Sequence, residues 1–146
     1  MSEPVRILLA EDDDDDFMLT TEAFKDSRLL NRVYRVKDGV ELMEFLHHQG
    51  PYEKPDSSPA PSLILLDLNM PRRNGFEVLA ALKADAGFLS IPIVVLTTSS
   101  AEEDIERRYA LHANAFITKP GDYAGLAEAI RQLTVSFLGL ITLPPP

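Results

Sequence analysis

The chain has 146 residues, with 14 basic and 23 acidic side chains and a formal net charge of -9. At 45% hydrophobic and 25% charged residues it lies clear of the disordered class and suits one compact domain, leaving no room for a separate DNA-binding one. The absence of cysteine excludes a disulfide framework, a thiolate metal site and a thiol nucleophile, and the acidic balance argues against nucleic acid as a direct partner.

Five short apolar runs read as strands: Val5 to Ala10, Val33 to Val36, Leu63 to Leu66, Ile91 to Leu96 and Ala115 to Thr118. Their lack of polar alternation is what a parallel sheet covered on both faces requires. Between and after them, apolar residues near helical spacing mark helices at Asp15 to Lys25, Gly39 to His48, Gly75 to Ala84, Ala101 to Leu111 and Asp122 to Ser136. The alternation predicts an α/β domain with a doubly wound, five-stranded parallel sheet, (β/α)5, and a ligand site outside the carboxyl ends of the strands.

Two segments depart from the pattern. Gly50 to Pro61 holds Pro51, Pro55, Pro59 and Pro61 and reads as an exposed, mobile loop. After a domain spanning residues 1–136, the tail 137–146 carries Phe137, Leu138, Leu140, Ile141 and Leu143 before three prolines, more apolar than an unpacked terminus should be. A second copy of the chain is the cheapest cover, so a homodimer through Phe137 to Leu143 is expected, with the face from Ala101 to Thr118 as the competing interface. The start Met1-Ser2-Glu3-Pro4 has no basic, apolar leader, and no apolar run approaches the roughly 18 residues of a membrane span, so the expected setting is the cytoplasm with no membrane contact.

The residues that end the strands carry the chemistry. The first strand runs into Glu11 and Asp12, the third into Asp67, the fourth into Thr97 and the fifth into Lys119. A parallel sheet brings these to one edge, where clustered carboxylates repel one another unless a hard cation such as Mg²⁺ sits among them. A lysine and a hydroxyl on that edge suit the equatorial oxygens of a phosphoryl group, and an aspartate can itself be the nucleophile that forms an acyl phosphate. Asp13 to Asp16 read as the solvated start of the first helix, where acids favour the positive end of the dipole. His47 and His48 fall at a helix end, His112 stands apart, and none of the three is read as a site residue. Arg72 and Arg73 are candidates for meeting a phosphodonor.

Four segments together, Ile7-Leu8-Leu9-Ala10-Glu11-Asp12, Leu65-Leu66-Asp67-Leu68-Asn69-Met70-Pro71 with Gly75, Val95-Leu96-Thr97-Thr98-Ser99, and Phe116-Ile117-Thr118-Lys119-Pro120, resemble the receiver domain of two-component response regulators up to about Ser136. The resemblance implies the flavodoxin-like receiver fold, with Asp67 as phosphoacceptor for a sensor histidine kinase. It further implies Mg²⁺ held by Asp12, Asp67 and the backbone carbonyl of Asn69, with Glu11 acting through water. Thr97 and Lys119 would bind the phosphoryl oxygens, and Phe116 would be the aromatic switch that follows Thr97, without the hydroxyl of a tyrosine. The Glu-Asp-Asp opening, the Pro-rich loop and Leu96-Thr97-Thr98-Ser99 are similar to single-domain regulators serving phytochrome-type kinases.

Other readings are weaker. A phosphatase with a nucleophilic aspartate needs a general acid two residues on, where this chain has Asn69, so phosphorylation and dephosphorylation of the protein's own Asp67 are expected rather than turnover of an outside substrate. A nucleotide binder would place its phosphate loop after the first strand, where this chain has a run of carboxylates. The remaining alternative is a pseudo-receiver or phosphate sink acting only through protein contacts.

Overall fold

The computed structural model describes residues 5–26, 31–54, 58–67, 75–88, 90–97, 115–118 and 123–141. Strands β1 (Val5–Ala10), β2 (Asn31–Val36), β3 (Leu63–Asp67), β4 (Ile93–Thr97) and β5 (Ala115–Thr118) form one sheet in the order β2-β1-β3-β4-β5, every pairing parallel. Helices α1 (Asp14–Asp26), α2 (Gly39–His47), α3 (Gly75–Ala84) and α4 (Tyr123–Ile141) accompany it. Predicted helix 101–111 lies outside the described residues.

The continuous apolar runs are explained by burial on both faces. Alternate residues of β1 belong to different cores: Leu8 and Ala10 join Ile64, Leu66, Val95 and the buried positions of α2 and α3, while Ile7 and Leu9 join Leu65, Val94, Phe24 of α1, and Ile130 and Leu133 of α4. Strand side chains project to opposite faces with period two, so a strand lacking polar alternation is stable only where both faces are covered. Strand β2, at one edge of the sheet, is mostly half-exposed, which accommodates its polar Asn31, Arg32 and Arg35.

Element ends differ from the sequence reading for local reasons. Strand β4 starts at Ile93 rather than Ile91, because the Ile91 amide is committed to the Phe88 carbonyl at 3.2 Å and Pro92 has no N–H to give the ladder; its carbonyl accepts from Ile64 at 3.0 Å. Strand β2 starts earlier than predicted, at Asn31, whose side-chain amide donates to the Phe24 carbonyl at 3.1 Å. Helix α4 continues to Ile141, so the boundary placed at Ser136 falls inside it. No helix among the described residues is long and apolar enough to cross a membrane.

The Pro-rich loop is docked where it is described. Ser58 is 1% exposed and Pro61 is buried, and the Ser58 hydroxyl lies 2.7 Å from Nδ1 of His48, which caps α2 in the left-handed region at φ 55. The Tyr52 ring, in the 3₁₀ turn Gly50–Tyr52, meets Phe45 edge-on with centroids 5.1 Å apart. Gly50, Pro51, Glu53, Lys54 and Ala60 are exposed as expected, so these contacts qualify the reading at Ser58 and Pro61 alone, where a helix end offers the loop partners.

Burial, and after it the Glu41 carboxylate, raises the Tyr52 phenol above its ordinary value of 10.0. The folded state therefore prefers neutral Tyr52, so its contribution to stability is complete below the unfolded value and is lost as pH rises through the folded one. In urea titrations at about pH 9 and about pH 11, wild type should lose stability relative to Tyr52→Phe, which has no phenol to ionise. An identical pH response of the two proteins would show that Tyr52 does not carry this dependence.

Candidate functional site

The topology determines where a ligand can sit. The chain leaves β1 toward β2 on one side and returns to β3 on the other, so the crevice at the carboxyl ends of β1 and β3 is the switch point of the sheet. Ala10 pairs with Leu66, which sets Glu11 beside Asp67 across the two strands. One oxygen each from Glu11, Asp12 and Asp67 comes within 4.8 Å of the others. Glu11 is fully buried, Asp67 is 3% exposed, and Asp12 faces solvent.

The β1–α1 loop is tied down by its own acids and by β2. The Glu11 amide donates to the Val36 carbonyl at 3.0 Å, and Glu11 Oε2 accepts from the Asp13 amide at 3.3 Å. Asp13 caps α1: its Oδ1 accepts from the Asp16 amide at 2.8 Å. Asp14, Asp15 and Asp16 fill the first turn, in agreement with their reading as a helix start. Arg35, which sequence reasoning missed, hydrogen-bonds the carbonyls of Glu11 and Asp12 and pairs with Asp14 Oδ1 at 2.8 Å. That pairing, with Lys37 adding to it, holds the Asp14 carboxyl below the usual carboxylate range. The available signal was an arginine inside the run Val33-Tyr34-Arg35-Val36, where a long cation needs a reason to stay.

Thr97 ends β4 and Phe116 lies in β5, paired with Val95, so both backbone positions stand on the sheet as expected. Asn69, Lys119, Arg72, Arg73 and His112 lie outside the described residues. His47 sits at the end of α2 with Nε2 3.5 Å from Asp85 Oδ2 and its ring edge-on to Phe88, consistent with a structural role.

The donor set consists of hard oxygens only, with no sulfur or imidazole among the three clustered groups. Two buried carboxylates beside a third fit a small divalent cation that keeps part of its water shell. Like charges at this separation repel in a medium less polarisable than water, and a cation among them offsets that repulsion.

Residues 7–131 match the model of the response regulator receiver domain family, and the chain belongs to that family of signalling proteins. It is 41% identical to the response regulator Rcp1 of Synechocystis sp. over 97% of this chain and 94% of that protein. The Mn²⁺-bound form of Rcp1 superposes with a TM-score of 0.82, covering 97% of this chain and all of that one. The phosphorylated cyanobacterial phytochrome response regulator RcpA gives a TM-score of 0.84 at 39% identity, over 98% of this chain and 100% of the other. RPA3017, which acts in red light signaling of R. palustris, gives 0.85 at 30% identity, over 97% and 99%.

If repulsion within the cluster is as large as its geometry indicates, Asp67→Asn should raise stability in the presence of chelator and at low salt by on the order of 1–3 kcal/mol. Equilibrium urea denaturation measures this directly; a variant less stable than wild type would mean that the Asp67 carboxylate is already compensated within the protein.

Proposed function

We propose that this chain is a single-domain response regulator in which Asp67 accepts a phosphoryl group from the phosphohistidine of a sensor histidine kinase, in a reaction that requires Mg²⁺. One observation carries the reading: a buried aspartate at the switch point of the sheet, with two further carboxylates converging on it. A carboxylate oxygen of Asp67 attacks phosphorus in line as the phosphorus–nitrogen bond to the imidazole breaks, leaving an acyl phosphate on the protein and a neutral histidine on the kinase. Asp12, Asp67 and the Asn69 carbonyl would hold the cation, with Glu11 acting through water, and its charge would offset that of the phosphoryl oxygens. Lys119 supplies a second, fixed positive charge, and the Thr97 hydroxyl donates to a phosphoryl oxygen.

Signalling follows from the same contacts. Once Thr97 is drawn toward the acyl phosphate, Phe116 fills the space it leaves, and the surface built by residues 101–116 differs between the two states. The family resemblance and the likeness to a cyanobacterial phytochrome response regulator and to bacteriophytochrome response regulators support a phytochrome-type kinase as the input, with the cytoplasm as the setting. Self-catalysed loss of the phosphoryl group would return the protein to its resting state.

The decisive experiment presents the purified chain to a panel of phosphorylated histidine kinases, phytochrome-type kinases among them, with and without Mg²⁺. Rapid transfer from one kinase is expected, abolished in Asp67→Asn and slowed by roughly 10²-fold or more in Lys119→Ala. Labelling of Asp67→Asn at the normal rate would sink the assignment. Failure of every kinase, together with no cation binding, would instead favour a receiver that works only through protein contacts.

The apolar residues at the end of the chain support a homodimer. Light scattering should report a dimer for the full chain and a monomer after truncation at Ser136 or in the double variant Leu138→Glu, Leu140→Glu. Unchanged mass in both would move the interface to the face formed by residues 101–118.

A further inference from the structure

Arg35 projects from the edge strand β2, beside Leu9 in register, yet its side chain is only 17% exposed. Its planar head makes contacts along residues 11–17. Nε donates to the Glu11 carbonyl at 3.0 Å, a terminal nitrogen donates to the Asp12 carbonyl at 3.3 Å, the ion pair reaches Asp14 at 2.8 Å, and the guanidinium carbon stands 4.3 Å above the centre of the Phe17 ring. Only an arginine can satisfy this set, because lysine has no flat fork to bridge two carbonyls while stacking on a ring.

The two carbonyls belong to the residues whose carboxylates converge with Asp67. Mutual repulsion favours separation of those carboxylates, and a loop free to yield would let the cluster open. A restraint on the main chain at Glu11 and Asp12 opposes that movement and removes part of the ordering that cation binding would otherwise require.

We propose that Arg35 is the positioning residue of the carboxylate cluster: its guanidinium holds the main chain of Glu11 and Asp12 in place, so that the three carboxylates are set for a divalent cation before it arrives. The inference rests on the cation reading given above. It opposes the simple electrostatic expectation in sign, since removing a positive charge near a cation site should by Coulomb's law tighten binding.

The test is a Mn²⁺ titration followed by the paramagnetic resonance signal of the free ion, on wild type, Arg35→Gln, Arg35→Lys and Asp67→Asn, with circular dichroism to establish folding. Amide hydrogen exchange at Asp13, whose N–H donates to Glu11 Oε2, is measured in metal-free protein. Both Arg35 variants should bind Mn²⁺ about ten-fold more weakly than wild type, although one keeps the charge, and Asp13 should exchange faster in both. Tighter binding in Arg35→Gln with wild-type affinity in Arg35→Lys would reduce Arg35 to a charge and overturn the proposal. Unchanged exchange at Asp13 would overturn it independently of any metal. No saturable binding by wild type, with Asp67→Asn behaving identically, would remove the cation reading and this inference with it; normal wild-type binding matched by both Arg35 variants would remove this inference alone. Should Arg35→Gln not fold, Arg35→Lys decides by the same criteria.

Discussion

Crowding of negative charge at the carboxyl ends of β1 and β3 is the constraint on which the rest of the structure depends. Burying a carboxylate is costly, and burying Glu11 and Asp67 beside Asp12 is more so. The arrangement persists because both strands are anchored on both faces. Leu8, Ala10, Ile64 and Leu66 pack into one core and Ile7, Leu9, Leu63 and Leu65 into the other, so neither strand can slide to separate its acids without exposing apolar side chains. A rigid two-sided sheet therefore holds the acids together against their mutual repulsion, which a cation among them would offset.

The surroundings of the cluster distribute the restraint. Behind it, Asp13 caps α1 and commits the backbone to a helix directly after the acids. Beside it, Arg35 reaches from the sheet edge to the same loop, which gives that half-exposed strand a role its burial alone would not suggest. The contrast with the far edge of the sheet is informative. There the C-terminal end of α2 and the Pro-rich loop meet through His48, Ser58 and Tyr52, contacts that close the bottom of one core. Rigid packing below and concentrated charge above are the division expected of a fold that binds at its carboxyl edge.

Much of this was legible in the residue order. The central strands are continuous apolar runs because both faces are covered, and their ends announce themselves by the change from Ala10 to Glu11 and from Leu66 to Asp67. Edges and ends were less legible. Asn31 and Arg32 look like loop residues, and only their pairing with Val5 and Arg6 makes them strand. Ile91 looks like strand, and a hydrogen bond to Phe88 together with Pro92 excludes it. Proline content pointed to an exposed loop at 50–61, as most of its described residues are, but it did not reveal that Ser58 is buried against His48 at the end of α2. In each case the deciding partner is distant in sequence or belongs to the neighbouring turn, and pattern reading does not see it.

The sequence by itself determined the alternation of strand and helix, the two-sided burial of the sheet and the residue types available at its carboxyl edge, because these depend on side-chain chemistry and period alone. The strand ends also named Glu11, Asp12 and Asp67 as the acids that meet, and the tertiary structure decided what holds them and what each neighbouring acid does instead. Five consecutive aspartates follow Glu11, yet it is Asp12 that joins Glu11 and Asp67, while Asp13 turns to cap a helix and Asp14 to pair with Arg35. That sorting follows from the register of β1 on β3 and from the turn into α1, both set by packing across the sheet rather than by the identity of the residues sorted.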